Sequence, residues 1–180
     1  MKTDEVLDAV VIGAGVGGSC AAIALARRGA RVALLEAGQL PHHKVCGEFL
    51  SPESRAVFQR LGVEDAILAA RPVPVSSARI VSSTRKHTRE RCLEIPLPAG
   101  AIALSRFRLD KVLWDAAGTT GVLCLDKTRV RRIENAGFGR FTIHAINGEV
   151  QARSIIAAVG RGTAWLERGT QRQEQPTSRV

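Results

Sequence analysis

Residues 8–18 have the sequence Asp8-Ala-Val-Val-Ile12-Gly13-Ala-Gly15-Val-Gly-Gly18, an apolar run followed by a glycine-rich turn. A continuous apolar run of this kind is typical of a parallel strand that is buried on both faces. The residues that follow predict a helix of small side chains from about Val16 to Arg28, which Gly29 ends. A second apolar strand is predicted at 31–36, so the segment up to Glu36 has the size of one βαβ unit.

The glycine-rich turn has the spacing G-x-G-x-x-G, and its position between a strand and a helix gives that spacing a mechanism. Gly13 permits the tight turn, Gly15 lets the backbone approach a pyrophosphate, and Gly18 lets the helix pack closely on the sheet. Val16 and Gly17 begin the helix, where unpaired backbone amides favour an anionic group. The turn therefore predicts a site for the pyrophosphate of a dinucleotide.

An acidic residue completes the predicted unit. Glu36 lies at the end of the second strand, 18 residues after Gly18 and next to Ala37. A carboxylate in this position accepts hydrogen bonds from the adenosine ribose, and it would repel the 2′-phosphate of NADP. The unit alone does not distinguish NAD from FAD.

The net charge of the chain bears on the kind of partner it binds. The 180 residues carry a formal net charge of +9, with 21 arginines against five lysines. Basic proteins often bind nucleic acid, but these charges are spread along the chain. The local cluster between Arg85 and Arg91 has no aromatic residues that could stack on bases. We therefore expect no nucleic-acid partner, with the loop Ser82–Arg91 as the place to test that expectation.

Membrane, secretion and metal sites are not indicated by the sequence. The chain has no apolar run of about 18 residues, the length that a transmembrane helix needs. Its start lacks the basic residues and long apolar stretch of a secretory signal, so a cytoplasmic location is expected. The four cysteines are widely scattered, with no histidine at ligand spacing, so we predict neither a disulfide framework nor a metal site.

The remainder of the chain predicts short strands and two more helices. One helix is predicted from Ser51, as its cap, to Arg71, and another at 106–117. Strands are predicted at 77–83, 91–95, 121–124, 128–134, 140–146 and 150–159, with Asn147-Gly148 as a two-residue turn before the last.

These elements predict an α/β fold. It is a three-layer Rossmann-like domain built on the βαβ unit, with an inserted or peripheral antiparallel β element. We assign residues 1–166 to this domain, as an incomplete one, and residues 167–180 to a polar tail that we expect to be disordered.

Three motifs resemble a known flavoprotein group. Residues 8–52, above all Lys44-Val-Cys46-Gly47-Glu48, are similar to the N-terminal part of geranylgeranyl reductase-like, FAD-dependent oxidoreductases. That group is related to the para-hydroxybenzoate hydroxylase-type monooxygenases and the flavin-dependent halogenases. Arg106-Phe-Arg-Leu-Asp110 resembles their Arg-x-x-Leu-Asp helix. Ala157-Ala158-Val-Gly160-Arg161 resembles a strand end that passes close to the flavin nucleotide, with Val159 in place of the usual threonine.

The resemblance implies FAD as the cofactor and assigns roles to further residues. Arg106 would contact FAD from its helix with Asp110 in support, the backbone around Val130 would lie against the adenine, and the loop of Lys44 would lie on the flavin side. The full set of cofactor-binding residues expected is Gly13, Gly15, Val16, Gly17, Gly18, Glu36, Ala37, Lys44, Cys46, Gly47, Arg106, Val130, Ala158 and Gly160. No side chain is a convincing general acid or base, so no catalytic residue is assigned.

Two functions remain open at this point. The first is an FAD-dependent oxidoreductase of the reductase or monooxygenase type. It would act on a small molecule that is isoprenoid, lipid-like or aromatic, with NAD(P)H as one option for the electron donor. The second is a non-catalytic, truncated FAD-binding fragment or module that needs a C-terminal half or a partner chain. The family's Gly-Asp motif has no counterpart after Gly160, so we expect little turnover from this chain alone.

Overall fold

The computed structural model describes residues 5–82 and 91–160. The strands, in chain order, are β1 (Leu7–Ile12), β2 (Val32–Leu35), β3 (Phe49–Leu50), β4 (Val73–Pro74), β5 (Ser77–Ser82), β6 (Arg91–Pro96), β7 (Ile102–Ala103), β8 (Leu123–Leu125), β9 (Val130–Gly137), β10 (Arg140–Ala145) and β11 (Gly148–Ala157). The helices are α1 (Val16–Ala26), α2 (Glu53–Arg60), α3 (Glu64–Ala69) and α4 (Arg106–Thr119).

The chain divides into two compact units, one formed by the residues up to Leu40 and from Ala117 onward, the other by 41–116. The first unit is built on a six-stranded sheet with the order β8-β2-β1-β11-β10-β9. Its first four strands are parallel, and β10 and β9 continue the sheet in antiparallel fashion. The βαβ unit is therefore present as predicted, with β1 at the centre of the parallel part.

The apolar run of β1 explains why this strand is central. Val10 and Val11 are fully buried, as is Leu34 of the neighbouring β2. Successive side chains of a strand point to opposite faces of its sheet, so two adjacent buried residues show that both faces are covered. The helix α1 ends as predicted, with Gly29 in a left-handed conformation (φ +84°) and the amide of Ala30 donating to the carbonyl of Leu25.

The second unit contains two antiparallel β elements, of which the sequence predicted one as inserted or peripheral. One is a three-stranded sheet with the order β3-β7-β4, and the other is the two-stranded hairpin of β5 and β6. The sequence predicted this hairpin, although most of the loop Ser82–Arg91 lies outside the described residues. The α/β class and the Rossmann-like sheet are thus confirmed. The predicted tail at 167–180 also lies outside the described part of the chain.

The single helix predicted from Ser51 to Arg71 is wrong in two respects. It is divided, because Gly62 adopts a left-handed conformation (φ +56°) between α2 and α3. It also starts one residue later, since the N-cap is Pro52 rather than Ser51. The hydroxyl of Ser51 instead hydrogen-bonds to the carboxylate of Glu53, which lowers the pKa of that carboxyl.

The turn before β11 is displaced by one residue from its prediction. Ala145 pairs with Gly148, so the turn residues are Ile146 and Asn147 rather than Asn147 and Gly148. The Ile146 amide donates to the carbonyl of Arg129, and the Asn147 side chain donates to the carbonyl of Lys127. These contacts with the segment before β9 fix a position that the local sequence does not specify.

Within the described residues, no helix has both the length and the apolar character required to cross a bilayer.

Candidate functional site

The glycine-rich turn follows β1 and contacts the end of β11. Gly13 has a φ of +104°, a conformation that glycine adopts without strain, and its amide donates to the carbonyl of Leu35 at 2.7 Å. A Cβ atom at Gly13 would lie 2.5 Å from the carbonyl oxygen of Ala158. The Ala158 amide in turn donates to the carbonyl of Ile12 at 2.8 Å. The turn therefore has no room for a side chain at its first glycine.

Gly18 makes the close approach between α1 and the turn possible. A Cβ atom there would lie only 1.8 Å from the carbonyl oxygen of Gly13 and 3.1 Å from the Cβ of Ala158. At Gly17, by contrast, nothing lies within 4 Å of the corresponding position. The predicted roles of Gly13 in the tight turn and of Gly18 in close packing are thus confirmed. The predicted contacts of these glycines with a cofactor stay a prediction.

Glu36 connects the turn with the end of β2. One carboxylate oxygen accepts a hydrogen bond from the Ala14 amide at 3.0 Å, and the other accepts one from the Gly38 amide at 3.0 Å. The sequence predicted Glu36 beside a ribose and did not anticipate its bond to the turn itself. A carboxylate can accept about four hydrogen bonds, so these two bonds are compatible with bonds from ribose hydroxyls.

The segment before β9 lies along the same edge of the sheet. The Lys127 amide donates to the carbonyl of Gly38 at 2.9 Å, and the Thr128 amide donates to the carbonyl of Glu36 at 2.7 Å. Val130 follows as the first residue of β9, and its buried side chain belongs to the hydrophobic core. The structure thus brings the turn, Glu36, the start of β9 and the end of β11 together. In open α/β sheets, ligands bind at the carboxyl ends of the parallel strands.

A second group of predicted residues lies in the unit 41–116, around a buried carboxylate. Asp110 of α4 is completely inaccessible to solvent. It accepts two hydrogen bonds from the Arg106 guanidinium, at 2.8 Å from Nε and 2.9 Å from Nη2, and lies 3.2 Å from Nζ of Lys44. The hydrogen bonds to Asp110 raise the pKa of Arg106. The expected support of Arg106 by Asp110 is confirmed, while the pairing with Lys44 was not predicted.

The loop that carries Lys44 contacts the start of α4 at several further points. His43 stacks on Phe107, with ring centroids 4.9 Å apart. The carbonyl of Glu48 accepts a hydrogen bond from the Leu104 amide at 2.9 Å, and its carboxylate accepts one from the Arg106 amide at 3.4 Å. The sequence contained Glu48 within the quoted Lys-x-Cys-Gly-Glu motif but gave no sign of these contacts.

Cys46 lies in the same loop, between His43 and Glu48 in the chain. Its side chain is exposed, and its sulfur accepts a hydrogen bond from the Glu48 amide at 3.4 Å. Gly47 is open, with nothing within 4 Å of the position that a Cβ atom would take, and the same holds for Gly160 of the first unit. Of the other predicted residues, Gly15 is the N-cap of α1, Val16 is its first residue, and Ala37 follows Glu36.

The comparison with protein families decides the family. Residues 6–177 match the model of the FAD binding domain. The chain belongs to this family. The family and the geometry agree, because the turn has the close backbone packing at Gly13 and Gly18 that a dinucleotide-binding βαβ unit requires, with Glu36 bonded to the same turn. FAD is therefore the cofactor of this domain.

The chain is also similar, over short stretches, to individual curated proteins. It is 39% identical over 66 residues to squalene epoxidase 5 of Arabidopsis thaliana, a match that covers 37% of this chain and 13% of that protein. It is 48% identical over 56 residues to the menaquinone reductase of Mycolicibacterium smegmatis, covering 31% and 14%.

A solved structure extends the likeness over nearly the whole chain. A flavoprotein/dehydrogenase from Cytophaga hutchinsonii has a TM-score of 0.75 and 28% identity, over 98% of this chain and 44% of that one. The chain thus spans less than half the length of that flavoprotein, and its matches span about an eighth of the two curated relatives. The expected flavoprotein group is confirmed, and its geranylgeranyl reductase-like branch stays a prediction.

Proposed function

We propose that this chain is the FAD-binding part of an FAD-dependent oxidoreductase of the reductase or monooxygenase type. The observation that carries the proposal is the glycine-rich turn, where Gly13 and Gly18 leave no space for a Cβ and Glu36 accepts a hydrogen bond from the same turn. A turn packed this closely exposes backbone to a ligand rather than side chains. Membership of the FAD binding domain family supports FAD as that ligand.

In the proposed binding mode, both backbone groups and side chains contact FAD. The amides at the start of α1, from Gly15 to Gly18, hold the pyrophosphate by hydrogen bonds, which the helix dipole favours. Glu36, with Ala37 beside it, orients the adenosine ribose, and the backbone near Val130 lies against the adenine. Ala158 and Gly160 pass close to the nucleotide. Lys44, Cys46, Gly47 and Arg106 are proposed as further FAD-binding residues, on the family resemblance.

The chemistry of such a protein resides mainly in its cofactor. When bound, FAD supplies the redox step, and the protein supplies binding, orientation and electrostatics. The backbone amides and Glu36 fix the nucleotide, so that the flavin has a defined position. Lys44 and Arg106 add positive charge beside the flavin part of the cofactor, which ADP lacks. No catalytic residue is assigned to this chain.

The substrate class follows from the relatives rather than from a pocket. The names of the two curated relatives refer to squalene and to menaquinone, both apolar and lipid-like. We propose a small, apolar, lipid-like substrate, with NAD(P)H as the electron donor and a cytoplasmic location. A non-catalytic FAD-binding module remains the alternative, since the chain matches 44% of the flavoprotein/dehydrogenase.

A titration of the purified chain with FAD tests the proposed binding site. Glu36→Ala removes the ribose acceptor and the bonds to Ala14 and Gly38, so we expect the Kd for FAD to rise roughly tenfold or more. Glu149→Ala, which changes a half-exposed glutamate on β11, is the matched control and should leave the Kd unchanged. Flavin fluorescence measures binding. A wild-type chain that fails to bind FAD, or a Glu36→Ala variant that binds it normally, would contradict the proposal.

Oxidation of NAD(P)H by the FAD-loaded chain then separates the two candidate functions. Turnover on the order of 1 per second or more would identify a working oxidoreductase. FAD binding without turnover would favour the non-catalytic module.

A further inference from the structure

The carboxylate of Asp110 joins two cationic side chains from different segments of the chain. Arg106 precedes it by one helical turn, whereas Lys44 comes from a loop 66 positions earlier. Asp110 is fully buried, while the Arg106 and Lys44 side chains keep 19% and 25% of their surface accessible. The anionic centre is thus removed from water, and both cations reach from it toward the surface.

A neighbouring ion pair on the same helix differs from this arrangement in its exposure to solvent. Lys111 and Asp115 form an i,i+4 pair like Arg106 and Asp110, but both of their side chains are about half exposed. Exposed pairs of this kind contribute little to stability. Buried ion pairs are costly to desolvate, and apolar residues of similar volume often stabilise a protein equally well. A contribution to stability alone therefore does not explain why a carboxylate is buried at position 110.

The loop held by Lys44 is also conformationally strained. Glu48 has a φ of +56°, which is unfavourable for a residue with a side chain. It is kept there by hydrogen bonds to Leu104 and to Arg106. Strain of this kind persists only where surrounding contacts enforce it, and it concentrates at functional sites. The loop 43–48 is thus held in one arrangement against the start of α4 at both of its ends.

We propose that Asp110 is a positioning residue for FAD binding. It fixes the Lys44 ammonium and the Arg106 guanidinium, and with Lys44 the loop 43–48, in the arrangement that the cofactor requires. The inference rests on the proposed function, in which Lys44 and Arg106 are FAD-binding residues. Because Asp110 is buried, it acts through these two side chains and does not touch the ligand itself.

The expected effect of Asp110 follows from preorganisation. Two long side chains that are already fixed lose less conformational entropy when a ligand binds than two free ones. Asp110→Asn keeps the shape of the side chain and removes its charge, so both cations lose their shared partner. We expect the Kd for FAD to rise roughly tenfold.

Binding of FAD and of ADP to the full chain tests the inference. ADP carries the ribose and phosphates proposed for the glycine-rich turn, so its Kd should stay within about twofold in Asp110→Asn. Asp115→Asn, which breaks the exposed pair on the same helix, should leave both Kd values within about twofold. Equal weakening of FAD and ADP binding in Asp110→Asn, or unchanged FAD binding, would overturn the inference.

A second variant keeps the test decisive should Asp110→Asn fail to fold. Asp110→Glu retains the charge and displaces the carboxylate by one methylene, so it shifts both cations. We expect weaker FAD binding with normal ADP binding, and wild-type FAD binding in this variant would equally overturn the inference. A wild-type chain that binds neither FAD nor ADP would refute the proposed function instead.

Discussion

The glycine-rich turn and the cluster around Asp110 form their candidate sites by opposite means. At the turn, the absence of side chains is the determining feature, because Cβ atoms at Gly13 and Gly18 would overlap with backbone oxygens. Around Asp110, side chains form the site, since the buried carboxylate binds an arginine of its own helix and a lysine of a distant loop. The first site depends on backbone conformation and steric fit, and the second depends on electrostatics. They should therefore respond to different kinds of mutation.

Gly18→Ala should produce the largest effect. Its Cβ would lie 1.8 Å from the Gly13 carbonyl oxygen, and neither backbone segment can move away without disturbing the sheet. We expect the free energy of unfolding to fall by at least about 4 kcal/mol, measured by urea denaturation.

Gly17→Ala is the control for that substitution, because nothing lies within 4 Å of the new methyl group. It should leave stability unchanged or raise it by up to about 1 kcal/mol, since alanine favours a helix more than glycine. Similar losses in both variants would show that steric fit at Gly18 is not the determining feature.

Asp110→Asn should have the next largest effect on stability. The substitution removes the charge that two partly exposed cations share and weakens their hydrogen bonds to it, so we expect a loss of about 2 kcal/mol. Asp115→Asn on the same helix should cost under about 0.5 kcal/mol, because both side chains of its pair are about half exposed. Equal losses, measured by urea denaturation, would show that burial does not distinguish the two pairs.

Asp8→Asn should have the smallest effect, and it extends the comparison to a surface carboxylate of the βαβ unit. The Arg31 amide donates a hydrogen bond to Asp8 at 2.8 Å, and this bond is the main reason why the pKa of Asp8 is lowered from its ordinary value of 3.8. A lowered pKa in the folded state means that the charged form stabilises the fold above the unfolded pKa. That contribution is lost as the pH falls through the folded pKa.

Wild type should therefore be slightly more stable than Asp8→Asn at pH 7. The difference should begin to shrink near pH 3.8 and vanish only below the lower pKa of the folded state. Urea denaturation at a series of pH values measures it. A difference that persists in acid would mean that the side-chain charge of Asp8 is not its source.

Some features were missed by the sequence because they depend on residues far apart in the chain. Nothing near Lys44 indicates that its partner is Asp110, and nothing near Glu36 indicates the bond to Ala14. The displaced turn at Ile146 has the same origin, because its bonds reach Lys127 and Arg129. The division of the predicted helix at Gly62 is local instead: the amides of Gly62 and Val63 donate back to the carbonyls of Gln59 and Phe58, as at a glycine-terminated helix end.

The sequence by itself determined the βαβ unit, its glycine-rich turn and the acidic residue at the end of β2. These follow from local rules, since apolar periodicity predicts strands and helices and only glycine tolerates the required backbone conformations. The tertiary structure alone decided that the end of β11 lies against Gly13, and that Asp110, expected to support Arg106, also binds Lys44. Steric constraints and ion pairs between residues close in sequence can be predicted from local rules, whereas partners far apart in sequence are identified only in the folded chain.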